Sequence, residues 1–220
     1  MPLIDWYDQI TARLRTSGDF IWPFLLRAIM WWEFWESGST KLKGENYFDS
    51  IPWAGWQVGF PFPFNTIPSD LNWVLATWGE IIFCFMILFG LFTRFAAFSL
   101  IVVTVVAMIA VHWPAEWNGI SDLWQSYAIT AKNGHGNFKL ALLFIIMLMP
   151  LVFHGGGKLS LDFVLKYFTG RGSDERKIGD LAAIGVGLLV LGTPLIYMFP
   201  LLGGAIIIAG IGAIVAHRFV

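Results

Sequence analysis

Apolar residues along this chain gather in long runs, at 81–92, 95–111, 140–153, 181–199 and 201–216, and only a few turn or charged residues separate each run from the next. Hydrocarbon about 30 Å thick takes roughly 20 helical residues to cross, and each run approaches that length once its aromatic or small flanks are included. The pattern predicts an all-α integral membrane protein. Six spans are expected, near 20–37, 71–92, 95–112, 138–154, 181–198 and 201–217. Thr93-Arg94 leaves so little chain between the second and third spans that these must form a tight antiparallel hairpin, and Phe199-Pro200 does the same for the last pair.

Ahead of the first span, Leu3, Trp6, Tyr7, Ile10 and Leu14 recur at helical spacing with polar residues between them. Residues 1–18 are expected to form an amphipathic helix lying in the membrane interface, since they lack the basic start and cleavage site of a signal peptide. The segment 52–68 (PWAGWQVGFPFPFNTIP) is too rich in Pro and Gly for a regular helix and too aromatic for a solvated linker. It is expected to fold along the interface or back over the bundle mouth. Ser69-Asp70 reads as an N-cap for the second span, and Ser160 as the cap of a short amphipathic helix running to about Phe168.

Charge then sets orientation. With both termini on one side, that side collects nine of the 14 Lys and Arg residues (Arg13, Arg15, Arg94, Lys158, Lys166, Arg171, Arg176, Lys177 and Arg218), against Lys41, Lys43, Lys132 and Lys139 opposite. Both termini are therefore expected in the cytoplasm of a cell with this protein in its inner membrane. Tryptophan is skewed to the outer half, at Trp32, Trp35, Trp53, Trp56, Trp73, Trp78, Trp113, Trp117 and Trp124. A hydrophobic fraction of 57%, a charged fraction of 13% and a mean hydropathy of +0.67 agree with a bilayer protein. The net charge of −1 excludes a nucleic-acid partner held on a broad basic surface. Cys84 is the only cysteine, which rules out an internal disulfide or a CxxC pair.

Charges inside the runs need a partner or a task. On the first span Arg27, Trp31, Phe34, Gly38 and Lys41 share one face at 100° per residue, and that face should point into the bundle. Glu80 is the only carboxylate in the middle of the second span; Glu33 and Lys41 lie closer to its level than Arg27 does. These charges either lock helix register or line a polar pocket on the outer side, and the candidate pocket residues are Arg27, Trp31, Glu33, Lys41, Trp78, Glu80 and His112. His112 and His135 are weak metal candidates, because no tight ligand spacing such as HxxxH accompanies them. The Gly155-Gly-Gly-Lys-Leu-Ser160 stretch lacks the spacing of a phosphate loop and reads as a helix exit followed by a cap. Small residues Ala205, Ala209, Gly212, Ala213 and Ala216 make a stripe suited to close packing within the bundle or against another subunit.

Taken in order, Arg27, Ser37-Gly-Ser-Thr-Lys41, Gly79-Glu80, Gly90-Leu-Phe-Thr-Arg94 and Gly155-Gly-Gly-Lys-Leu-Ser-Leu-Asp162 resemble the DoxX family over about residues 20–165. The resemblance implies a four-helix membrane bundle at 20–168, to which residues 179–220 add a transmembrane hairpin. Its namesake relatives are small integral subunits of thiosulfate:quinone oxidoreductases, although the family name alone does not license a reaction. Three functions stay open. The first is a membrane subunit of a quinone-linked oxidoreductase system, whose aromatic and charged outer pocket takes a bound quinone while the chain itself stores no electrons. The second is a non-catalytic scaffold or assembly partner for an extracytoplasmic enzyme. The third, a small-solute or metal-ion transporter, is disfavoured by the lack of repeat symmetry. A protein partner or an oligomer is expected in the first two.

Overall fold

The computed structural model describes residues 2–50, 57, 59–112, 138–170 and 180–217, and these hold seven α-helices. They are α1 (Pro2–Lys43), α2 (Ser69–Phe89), α3 (Thr93–Ala107, widening into a π-helical turn at Met108–His112), α4 (Phe138–His154), α5 (Leu161–Phe168), α6 (Asp180–Met198) and α7 (Pro200–Ala216). Helices α1 to α4 pack in a closed ring, α1 on α2, α2 on α3, α3 on α4 and α4 back on α1. The α6–α7 pair packs on itself and meets the ring through α3. Ser69–Phe89, Thr93–His112 and Leu181–Met198 are long and apolar enough to cross a bilayer, and Lys139–His154 and Pro200–Ala216 are shorter apolar helices.

Helical periodicity explains the ring. Arg27, Met30, Phe34 and Gly38 are the buried positions of α1's inner stretch, and Thr77, Glu80, Cys84 and Ile87 those of α2, each spaced by three or four residues. From α3, Ala96, Ala97, Leu100, Ile101 and Val105 fill the centre against Leu148, Leu151 and Val152 of α4. The apolar residues left outside face a solvent that is itself apolar.

Two expectations are corrected. The separate interfacial helix and first span are one continuous helix, α1, of 42 residues, about 63 Å long at 1.5 Å per residue. Gly18 is too mild a breaker to end it, because one interior glycine costs only about 1 kcal/mol. None of residues 3–22 is buried; this stretch of α1 touches the rest of the bundle at its end, where Asp19 O accepts from Lys158 N–H and Trp22 lies edge-on to His154 at 5.8 Å. Secondly, Ser69 lies inside α2 rather than capping it; Pro68 precedes the helix and no side-chain cap forms. The oxygens of Ser69 and Asp70 instead accept from Asn46 Nδ2, at 3.4 and 2.8 Å, which ties the chain leaving α1 to the start of α2.

The end of the ring bearing the α2–α3 turn is fastened by side chains bound to main-chain atoms. Gly90, at φ 67°, closes α2, with Gly90 N–H donating to Ile87 O at 2.9 Å and Leu91 N–H to Met86 O at 2.8 Å. Arg27 donates from Nη1 to Leu88 O at 3.0 Å and from Nη2 to Leu159 O. Arg94 donates to the carbonyls of Val152 and Phe153 at the end of α4. Pro23 lacks an N–H, which frees the Asp19 carbonyl; Lys158 N–H occupies it at 3.0 Å. The close approach this needs falls at Gly157, where a methyl group would stand 2.6 Å from Asp19 O. Ser160 caps α5 as expected, its Oγ accepting from Phe163 N–H at 3.2 Å.

In the outer hairpin only Phe199 connects α6 to α7. Its backbones meet at Gly185 and Gly210, where a methyl on Gly185 would lie 2.7 Å from the Gly210 carbonyl oxygen. Of the two uses expected for the stripe, packing within the bundle is not found: Ala205, Ala209, Gly212 and Ala216 are exposed, while Gly203 and Gly210 are buried.

Candidate functional site

At the ring end opposite the α2–α3 turn, a cavity of about 360 Å³ opens between α1, α2, α3 and the end of α6. Its charged wall follows from the small residue one turn earlier on α1. Gly38 lets that helix lie against α2 so closely that a methyl there would meet Ile81 Cγ1 at 2.9 Å. Lys41, one turn on, is thereby delivered to Glu80. Its Nζ donates to Oε1 at 2.9 Å and Oε2 at 2.8 Å, and to Ser37 Oγ at 2.7 Å. With side-chain exposures of 13% for Lys41 and 4% for Glu80, the pair is nearly out of water. Desolvation of both ions then offsets much of their attraction, and removing either would leave the other buried alone.

The three N–H donors of Lys41 are matched by the three acceptors Ser37 Oγ, Glu80 Oε1 and Glu80 Oε2. Each carboxylate oxygen accepts one of these bonds, so Glu80 keeps lone pairs for a further donor. The cavity wall is thus stronger as an acceptor than as a donor. Tyr47 and Asn72 add polar groups, and Phe48, Phe60, Phe64, Val102, Val103 and Val106 supply apolar surface. Burial, and after it the charge of Glu80, pushes the Tyr47 phenol above its ordinary pKa. The Tyr47 ring packs edge-on against Trp73 at 5.0 Å and Phe48 at 5.5 Å.

Chain from the Pro-rich segment and from α6 closes the cavity. Phe60 is buried and meets Tyr197 edge-on at 5.1 Å, and Phe64 meets the same ring at 5.5 Å. Gln57 Nε2 donates to Ile67 O at 2.8 Å, while Asn72 Nδ2 donates to Gln57 Oε1 at 2.6 Å, fixing this segment on the first turn of α2. Residues 51–56 and 58 lie outside the described residues.

Of the residues anticipated for the pocket, the structure brings together Lys41, Glu80 and His112. His112 arrives on the widened turn at Met108–His112, a helix irregularity of the kind often found at sites. Arg27 belongs to the opposite end, since its partner Leu88 lies eight residues, about 12 Å, beyond Glu80 on α2. Trp31 turns to Phe85 and Trp32 at 6.2 and 6.0 Å, away from the cavity. Trp78 is 49% exposed because two residues rotate it about 200° from Glu80. Glu33 is half-buried and does not line the cavity either, being about 100° off the buried face of α1. His135 lies outside the described residues, among which no group of three His, Cys, Asp or Glu side chains could hold a metal.

Sequence reasoning missed Tyr47, Asn72 and Tyr197. Asn72 had a signal, standing on the Glu80 face of α2 with Ala76 between them at intervals of four. Tyr197 had none, because 117 residues separate it from Glu80 and only the fold brings them to one cavity.

Fold and composition together define an all-helical membrane protein with several candidate spans. The DoxX family profile matches residues 22–113. A Haemophilus influenzae protein described as uncharacterized is 38% identical over 155 residues, which cover 70% of this chain and 90% of that protein. The chain belongs to the DoxX family of membrane proteins. No solved structure matches it.

Proposed function

We propose that the protein is a membrane subunit of a quinone-linked oxidoreductase system and that the cavity beside Lys41 and Glu80 receives the headgroup of the carrier in its quinol form. The buried ion pair on the cavity wall is the observation that carries this reading. A volume of about 360 Å³ lies in the range of small-ligand sites, and apolar walls with a few converging polar groups are their usual makeup. Because Lys41 is internally satisfied, the charged group with capacity left is an acceptor, and a quinol hydroxyl is a donor. Glu80 holds that hydroxyl, Tyr47 and Asn72 orient the ring, and the Phe and Val side chains exclude water. Oxidation of a bound quinol would give two electrons to a partner protein and release two protons.

In this reading the cavity faces outward, both termini are cytoplasmic, and α1 to α4, α6 and α7 make six spans of the inner membrane. A reporter fused after Val220 should behave as cytoplasmic, and one placed near Trp56 as external. For the site, full-length protein in mild detergent is titrated with decylubiquinol, following tryptophan fluorescence, and its co-purified quinone is extracted and quantified. Saturable binding that Glu80→Gln weakens at least about tenfold is expected, the loss of one hydrogen bond to a charged group being about 1.5–3 kcal/mol. Absence of both binding and co-purified quinone overturns the reading. A stable soluble partner found with no quinone would put a scaffold role in its place.

A further inference from the structure

The far end of the ring holds a second and larger recess, about 890 Å³, between the Asp19–Pro23 turn of α1, the start of α3, the α4–α5 loop and α5. Three cations line it, Arg94, Lys158 and Lys166, against two carboxylates, Asp19 and Asp162, which leaves one positive charge in excess. Both carboxylates are already engaged. Asp162 accepts Phe92 N–H on Oδ1 at 2.7 Å and Thr93 N–H on Oδ2 at 2.8 Å, and Asp19 pairs with Lys158 at 3.1 Å. Arg94 and Lys166 are exposed, and among the described residues neither forms an ion pair. The recess therefore presents uncompensated positive charge.

Its rim says what kind of anion fits. Helix α5 buries no residue, and Leu161, Phe163, Val164, Leu165 and Phe168 are all exposed, so the described residues leave much of the apolar surface of this eight-residue helix uncovered. Phe92 and Phe95, at 62% and 59% exposure, continue that apolar surface along the start of α3. Apolar groups uncovered at the edge of a cationic recess, at the end of a membrane bundle, match a molecule with an anionic head and hydrocarbon tails. A short helix of this kind lies in the boundary between headgroups and acyl chains. Basic pockets between membrane helices on the cytoplasmic side are suited to anionic headgroups.

We infer that this recess is a binding site for an anionic phospholipid, with the phosphate held by Arg94 and Lys166 and the acyl chains running along Phe95 and Phe163. It is independent of the quinol cavity, which lies at the other end of the ring. The lipid would clamp α5 to the start of α3 and to the Asp19–Pro23 turn of α1, stabilising the bundle from that end.

The test is native mass spectrometry of the full chain in detergent, incubated with phosphatidylglycerol or with phosphatidylcholine of the same acyl chains. Selective retention of phosphatidylglycerol is expected, falling about fivefold in Lys166→Gln, the equivalent of about 1 kcal/mol for one basic residue near an anionic lipid surface. Lys139→Gln, a cation at the other end of α4, should leave retention unchanged. Arg94 also closes α4, so Arg94→Gln is read only beside Lys158→Gln/Lys166→Gln, which spares the carbonyl bonds. Equal retention of the two lipids, or full retention in the lysine double variant, overturns the inference. So does displacement by equimolar inorganic phosphate, which would make a free anion the occupant.

Discussion

The Asp162 carboxylate closes the first turn of a helix 69 residues away, its Oδ2 accepting the Thr93 N–H at 2.8 Å while Oδ1 takes that of Phe92. Asp162 N–H in turn donates to Gly90 O at 2.9 Å, so α5 and the α2–α3 turn hold each other reciprocally. Asp162→Asn keeps one acceptor and loses the charge. We expect a loss of about 1–2 kcal/mol, the usual scale for an N-terminal cap, read as a lower thermal midpoint in detergent with quinol affinity unchanged. An unaltered midpoint would show the cap to be redundant with the other contacts of α5.

The Lys41–Glu80 pair is tested by a cycle. Lys41→Met alone leaves Glu80 buried without its partner, a situation that costs about 3–5 kcal/mol, whereas Lys41→Met/Glu80→Leu removes both members and should recover most of the loss. Thermal unfolding of the two singles and the double measures the coupling. Singles that cost as little as the double would mean that the two charges do not depend on each other.

Gly157 and Gly170 share a positive φ, at 74° and 66°, but have very different surroundings. A methyl on Gly157 would meet Asp19 O at 2.6 Å and Pro23 Cβ at 2.9 Å, whereas nothing lies within 4 Å at Gly170. Each Ala variant carries the conformational cost of about 1–2 kcal/mol. Gly157→Ala should exceed Gly170→Ala because it also pushes the loop away from α1. Equal midpoints for the two would show that the Asp19–Lys158 contact is not tight.

The hairpin beyond the family match bears on the cavity through Tyr197. Deleting residues 179–220 should leave α1 to α4 inserted, yet remove the ring on which Phe60 and Phe64 rest. Tyr197→Ala should therefore weaken quinol binding with little effect on insertion. If neither change alters binding, the cavity does not need this wall.

Tyr47 supplies a pH signature. Its folded pKa is raised, so the folded state holds the phenolic proton more tightly than the unfolded chain does. The associated stability is complete below the ordinary phenol value of about 10 and is lost as pH climbs through the higher folded value. Relative to Tyr47→Phe, the wild type should lose thermal stability as pH rises past about 10. Glu80→Gln should bring Tyr47 ionisation to lower pH in the ultraviolet difference spectrum, since it removes the second cause of the shift. A titration identical to the wild type would separate Tyr47 from Glu80.

The sequence was legible where periodicity governs. Spacings of three and four residues put Arg27, Phe34, Gly38 and Lys41 on one buried face, and a helix face needs no knowledge of its partners. The role of Arg27 was not legible, because the groups it binds are the carbonyls of Leu88 and Leu159, and every residue carries a carbonyl. The continuity of α1 was hidden because the chain changes from polar-patterned to apolar near Gly18, and a change of polarity does not end a helix. Of the residues on which the resemblance was read, Arg27, Gly90, Arg94 and Asp162 thus prove to fasten helix ends, and Lys41 and Glu80 are the ones that face the cavity.

The fastening has a consequence for how far such a chain can drift. Arg27, Arg94 and Asp162 grip main-chain atoms of Leu88, Leu159, Val152, Phe153, Phe92 and Thr93, carbonyls that any amino acid would present at the first four and N–H groups that any but proline would present at the last two. Three charged side chains thereby tie five helices, α1 to α5, while leaving the side chains around them free to vary. The path of the backbone at this end is thus decoupled from the identity of the apolar residues that line it.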